Sequence, residues 1–219
     1  MDSCRDLSYN RDMIKTVLFD FGGVLTETGK KGFIREVLAN LYGMPVDEVF
    51  TAEVQKSWRR NEVDEAAILD GLNKRFGKQV TPRMFAEQAH ADVIRSEPVY
   101  RLAEQLKEAG LQVGILSNVF SSTAAFLREQ GFYEGFDPVV LSCEVGYAKP
   151  DEGLYKAAIK RSGHKPEEIL FIDDQEKCRP PAEHLGIHFL LAASPQQVVD
   201  DTWAIIEREK NRAGAAGKD

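Results

Sequence analysis

The sequence predicts an α/β fold, a parallel sheet with helical crossovers and a separate helical insertion after its first strand. Five short apolar runs rich in β-branched and aromatic residues read as strands: Thr16–Phe19, Gln112–Leu116, Pro138–Leu141, Ile169–Ile172 and Ile187–Leu191. A single helix fits between most of them, which is the βαβ rhythm of a parallel sheet. The first interval breaks that rhythm, because it is long and itself helical.

Taken in order, Thr16–Phe19 is followed by Ile34, Val37, Leu38 and Leu41 at the spacing of one helix face. Val46, Phe50, Val54 and Trp58 suggest a second helix, and Ile68, Leu69, Leu72 and Phe76 repeat the first pattern. Thr81-Pro82 reads as an N-cap with proline at the first helical position. The hinges of this insertion fall near Thr26–Gly29 and Ser96–Pro98. The expected division is therefore a core of residues 13–28 and 97–210, a helical unit of residues 29–96, and flexible termini of residues 1–12 and 211–219. Beyond the insertion, Leu102 and Leu106 with Gly110 as stop, then Ser121–Gly131, then Gly153–Gly163 supply one helix per crossover. Ser194-Pro195 opens a closing helix through Trp203 and Ile206, and the small polar residues Asn211–Asp219 are expected not to pack.

Composition narrows the function classes. The 219 residues are 43% hydrophobic, enough for a sizeable core. Acidic residues outnumber basic ones, 35 against 28, with a formal charge of −7 and no basic stripe, so nucleic acid is not an expected partner. No run of eighteen apolar residues predicts a membrane span, and the polar N-terminus does not resemble a signal peptide, so the expected compartment is the cytoplasm. Cys4, Cys143 and Cys178 are scattered and odd in number, which fits a reducing compartment and neither a disulfide framework nor a zinc site. His184 and His188 are four apart, but Gly186 stops the helix between them and argues against a metal pair.

In an open parallel sheet, residues just beyond the carboxyl ends of the strands share one crevice. Here those positions hold Asp20, Ser117-Asn118, Lys149-Pro150 and Asp173-Asp174. Three carboxylates in one crevice repel unless a cation joins them. All-oxygen ligands without Cys or His favour a hard ion, and Mg²⁺ typically takes one or two carboxylates together with substrate phosphate. Lys149 supplies a compact positive charge at a helix start, Ser117 a hydroxyl, and the backbone around Asn118 further donors.

These residues, in this order, resemble the haloacid dehalogenase superfamily. Asp20 in "FDFGG" stands at the family's nucleophile and Ser117 in "ILSN" at its phosphate-binding hydroxyl. Lys149 in "GYAKP" matches its lysine, and Asp173-Asp174 in "FIDD" its acidic metal loop. The resemblance implies a Rossmann-like core of sheet order 5-4-1-2-3 with a small helical cap inserted after strand one. It also implies a Mg²⁺-dependent phosphatase of small phosphorylated metabolites, sugar phosphates among them, working through a phosphoaspartate on Asp20. Asp20, the Gly22 carbonyl, Asp173 and Asp174 would then hold the metal, Ser117, Asn118 and Lys149 the phosphate, with Asp20, Ser117 and Lys149 as the catalytic set.

Two positions depart from the family pattern. The general acid two residues after the nucleophile is here Gly22, and Cys178 replaces the Asn that usually continues the acidic loop. The first departure leaves two other readings open, a 2-haloacid dehalogenase-like hydrolase and a catalytically weak phosphate-binding or regulatory protein. The Asp173-Asp174 pair speaks against the dehalogenase, whose chemistry needs no metal. Trp58, Arg59 and Arg60 read more readily as packing and a solvated face than as substrate contacts.

Overall fold

The computed structural model of the protein describes residues 13–27, 33–51, 54 and 65–216. Gly29, Trp58, Arg59, Arg60, Cys4 and the two chain ends, residues 1–12 and 217–219, lie outside the described residues. In chain order the elements are β1 Thr16–Phe19, α1 Phe33–Tyr42, α2 Val46–Val49, α3 Glu65–Phe76, α4 Pro82–Ala89, α5 Glu97–Glu108, β2 Gln112–Ser117 and α6 Ser121–Glu129. They continue with β3 Val139–Leu141, α7 Ser142–Val145, α8 Glu152–Ser162, β4 Ile169–Asp173, α9 Arg179–His184, β5 His188–Leu191 and α10 Pro195–Ala216.

All strand pairs are parallel, and the sheet order is β3-β2-β1-β4-β5, which is the expected 5-4-1-2-3 read from the other edge. β1 is central, and its side chains alternate between two cores. Val17 and Phe19 face a cluster built on α5, α6 and α10 through Leu102, Leu106, Leu127 and Val198. Leu18 faces a second one built on α8 and α9 through Leu154, Tyr155, Ala158 and Ala182. Burial on both faces explains why β1 and β4 read as apolar runs that end in an acid. Gly114 in β2 is required by close approach, since a Cβ there would lie 2.4 Å from the Pro138 carbonyl oxygen.

Boundaries differ from expectation for local reasons. β3 begins after Pro138, which has no N–H to donate. Ile187 donates to Ala182 and so closes α9 instead of opening β5. α10 continues through Ala216, six residues past the expected boundary at residue 210. Ala213, Ala215 and Ala216 there are among the strongest helix formers.

The helices between β1 and β2 have a hydrophobic cluster of their own, formed by Val37, Leu38, Tyr42, Val49, Ile68, Leu69, Leu72, Val80, Phe85 and Ala89. Thr81 caps α4 as the sequence predicts, its Oγ1 accepting from Met84 N at 3.2 Å. Asn73 on α3 holds the chain leading into α4 by a double hydrogen bond, donating from Nδ2 to the Val80 carbonyl at 2.9 Å and accepting from Val80 N at 2.8 Å. The neck of the insertion is a short paired ribbon. Ser96 N donates to Leu25 O at 2.9 Å, Glu27 N donates to Ile94 O at 3.0 Å, and Thr26 bridges Arg95.

Candidate active site

Asp20 directly follows β1 and is fixed by its neighbours: its N–H donates to Ile172 O at 2.8 Å, and its Oδ1 accepts from Phe21 N at 2.7 Å. Ser117, the last residue of β2, donates from Oγ to Asp20 Oδ1 at 2.8 Å. The Lys149 ammonium reaches the same Oδ1 at 2.8 Å and Asp173 Oδ2, at the end of β4, at 2.6 Å. These residues are 5%, 4%, 4% and 0% exposed for Asp20, Ser117, Lys149 and Asp173, so the three charges among them meet at low dielectric.

Burial pushes the Lys149 ammonium down, but Asp20 and Asp173 more than offset it and hold the ammonium above its usual range. Burial raises the Asp20 carboxyl, Lys149 opposes the rise, and Asp173 adds to it. The Phe171 ring lies under the ammonium, 5.2 Å from Nζ to its centroid.

Asp174 is exposed and faces a cavity of about 520 Å³ that Gly23, Glu27 and Ser96 also line. One oxygen from each of Asp20, Asp173 and Asp174 lies within 4.8 Å of the others. Three carboxylates against one ammonium leave an excess of negative charge in a largely dry site, and the all-oxygen donor set suits a hard divalent cation such as Mg²⁺. Gly23 is part of this fit. Its φ is +81°, and a Cβ there would come 2.8 Å from Asp174 Oδ2, so only glycine leaves that carboxylate where it stands. At Gly22 a Cβ would meet nothing within 4 Å.

All the sequence-predicted site positions therefore gather at one end of the sheet, Asn118 among them, and its side chain has a task that the sequence did not indicate. Its carboxamide turns to the backbone of Lys149, donating from Nδ2 to the carbonyl at 2.9 Å and accepting from the N–H at 2.7 Å. Asp173 Oδ1 accepts from Gln175 N at 2.7 Å and does not cap α9. Cys178 is fully buried, and burial pushes its thiol up to about 12, which makes it a packing residue and not a reactive thiol. His184 and His188 have separate partners, Glu152 at 2.6 Å and the Glu167 carbonyl at 3.0 Å.

Sequence reasoning missed Ser142 and Glu65. Ser142 Oγ accepts from Val119 N at 2.9 Å and pins the loop after β2. Glu65, from the insertion and only 3% exposed, accepts from Ser122 Oγ at 2.7 Å and Ser122 N at 3.3 Å, at the head of α6. A serine after an apolar run and an acid in an amphipathic helix carry no signal of these partners.

Comparison with known proteins identifies the family. Residues 14–186 match the haloacid dehalogenase-like hydrolase family. The chain belongs to the haloacid dehalogenase-like hydrolases. Acyl-CoA dehydrogenase family member 10 of Mus musculus is 34% identical over 120 residues, which is 52% of this chain but only 11% of that protein. Glyceraldehyde 3-phosphate phosphatase of Methanopyrus kandleri is 28% identical over 178 residues, covering 74% of this chain and 76% of the relative. A HAD family enzyme of Bacteroides thetaiotaomicron, solved as a magnesium complex, superposes with a TM-score of 0.66 at 25% identity, over 82% of this chain and 93% of that one. Among the described residues, no helix is long and apolar enough to cross a membrane.

Proposed function

We propose that the protein is a Mg²⁺-dependent phosphatase of small phosphorylated metabolites, with Asp20 as the nucleophile. The observation that carries this reading is the convergence on Asp20 Oδ1 of Ser117 Oγ and Lys149 Nζ, each at 2.8 Å, beside the acid pair of the metal loop. Asp20 attacks phosphorus and takes up the phosphoryl group, the leaving alkoxide departs, and water then hydrolyses the aspartyl phosphate. Lys149 and Ser117 face the phosphoryl oxygens and stabilise the charge that grows there. Asp20, Asp173, Asp174 and the Gly22 carbonyl would hold the metal, which withdraws charge from the phosphate. The helical insertion serves as a cap over the crevice and sets substrate choice.

The magnesium complex of the Bacteroides enzyme and the phosphatase among the relatives support this reading over dehalogenation. The open space at Gly22 favours a second one, in which turnover is weak and phosphate binding is the retained function. One experiment separates the three. Phosphate release from an aryl phosphate is followed with Mg²⁺ and after chelation, beside halide release from a 2-chloro acid. The phosphatase reading expects phosphate release that chelation abolishes. Full activity in chelator or halide release overturns it, and phosphate binding without release supports the weak-turnover reading.

A further inference from the structure

Resting on the phosphatase reading, we infer that the Asn118 side chain positions Lys149 and that its carboxamide is not itself a ligand of the phosphate. Its carboxamide pairs with both backbone polar groups of Lys149, the carbonyl at 2.9 Å and the N–H at 2.7 Å, as a neighbouring strand would. Lys149 lies in the loop between α7 and α8, and no strand pairs with it. Asn118 supplies that missing edge. The preceding residue, Ser117, bonds Asp20, and the following one, Val119, is held by Ser142, so the segment cannot slide along the lysine loop. The Lys149 side chain must span two carboxylates at 2.8 and 2.6 Å, and that geometry depends on where its backbone is held. With both ends of the amide engaged, the side chain has a single free Nδ2 hydrogen and one Oδ1 lone pair left.

The molecule contains its own control. Asn73 makes the same pair of hydrogen bonds to Val80, in a region with no ionised group in the pairing, and so has only a structural task.

The test measures binding of inorganic phosphate to the Mg²⁺-loaded full chain by calorimetry, together with kcat and KM on an aryl phosphate, in a double-mutant cycle of Asn118→Ala and Lys149→Ala. Asn118→Ala is expected to weaken phosphate binding about tenfold, as loss of two positioning hydrogen bonds would, and to lower kcat as well. In the Lys149→Ala background the same substitution is expected to change phosphate binding less than twofold, because the group it positions is gone. Asn118→Asp, which keeps the acceptor for Lys149 N–H and loses the donor, is expected to fall between the wild type and Asn118→Ala. Asn73→Ala is expected to lower the melting temperature with phosphate binding unchanged. Additive losses in the cycle, or an Asn118→Ala variant with wild-type phosphate affinity and kcat, overturn the assignment. If Asn118→Ala does not fold, the cycle is run with Asn118→Asp under the same criteria. A wild-type chain that neither binds phosphate nor releases it from the aryl phosphate overturns the phosphatase reading itself, a result distinct from an additive cycle.

Discussion

In the helical insertion, polar side chains such as these serve packing: Asn73 clamps Val80, and the Tyr42 hydroxyl shares its one hydrogen between Asn73 Oδ1 at 3.0 Å and the Leu69 carbonyl at 3.2 Å. At the carboxyl end of the sheet the same kinds of bond hold charges that packing alone would never place together. The insertion has a hydrophobic cluster of its own, to which each large buried side chain contributes ~1.5–3 kcal/mol. The site has the opposite balance. Its three acids and one lysine cost desolvation energy, and the double burial of β1, β2 and β4 is what keeps them fixed. The two regions touch at α6, where Glu65 accepts from Ser122, Arg83 of α4 pairs with Glu129, and Phe120 packs against the insertion's hydrophobic cluster. Stability and chemistry are thus divided between them, and that division can be tested.

The largest effect is expected at the site. Asp20→Asn should abolish turnover, because an amide is not a nucleophile there. The fold should survive, since the Lys149 ammonium keeps Asp173 at 2.6 Å. Steady-state rates and the circular dichroism melt measure the two halves of this claim. A near-normal rate would remove Asp20 from the chemistry.

Gly22→Asp should act in the other direction. The position has room for a side chain and is not among the glycines with positive φ, so an aspartate can be accommodated without backbone strain. General acid–base help is typically worth ~10²–10⁴ in rate, and the gain should appear with poor leaving groups, the primary-alcohol phosphates. The wild type should show a steep dependence of kcat/KM on leaving-group pKa, and the variant a shallower one. A flat wild-type series would mean that another residue already supplies the proton.

The smallest effect is expected at the junction of the two regions. Glu65→Ala leaves both Ser122 donors without that acceptor and should cost ~1–3 kcal/mol, or about 2–4 °C of melting temperature for each kcal/mol. Glu65→Gln, which keeps an acceptor, should lose less. Selectivity between a sugar phosphate and an aryl phosphate should shift in Glu65→Ala with little change on the aryl substrate. A shift in neither stability nor selectivity would mean that other contacts suffice to hold the insertion against α6.

Much of this was legible in the chain. β1 runs over the residues expected, Thr16–Phe19, because a strand buried on both faces leaves a continuous apolar run with nothing polar to blur it. Asp20 and Asp173 stood out for the same reason, as acids at the ends of such runs. The task of the Asn118 carboxamide is not legible, because a carboxamide after a strand reads the same whether it faces a ligand or a neighbouring backbone. The end of α10 was placed short because small residues say little about packing while alanine still favours helix.

By itself, then, the sequence determined the element order, the helix starts at Thr81-Pro82 and Ser194-Pro195, and the set of strand-end residues, since each depends on neighbours a few positions away. Only the tertiary structure decided that Ser117 and Lys149 share one oxygen of Asp20, that Asn118 serves Lys149 from 31 positions away, and that Glu65 reaches Ser122 across 57. Those pairings follow from the order in which parallel strands are laid side by side. That order brings chain-distant loops to one end of the sheet, and no local pattern of side chains encodes which of them will meet.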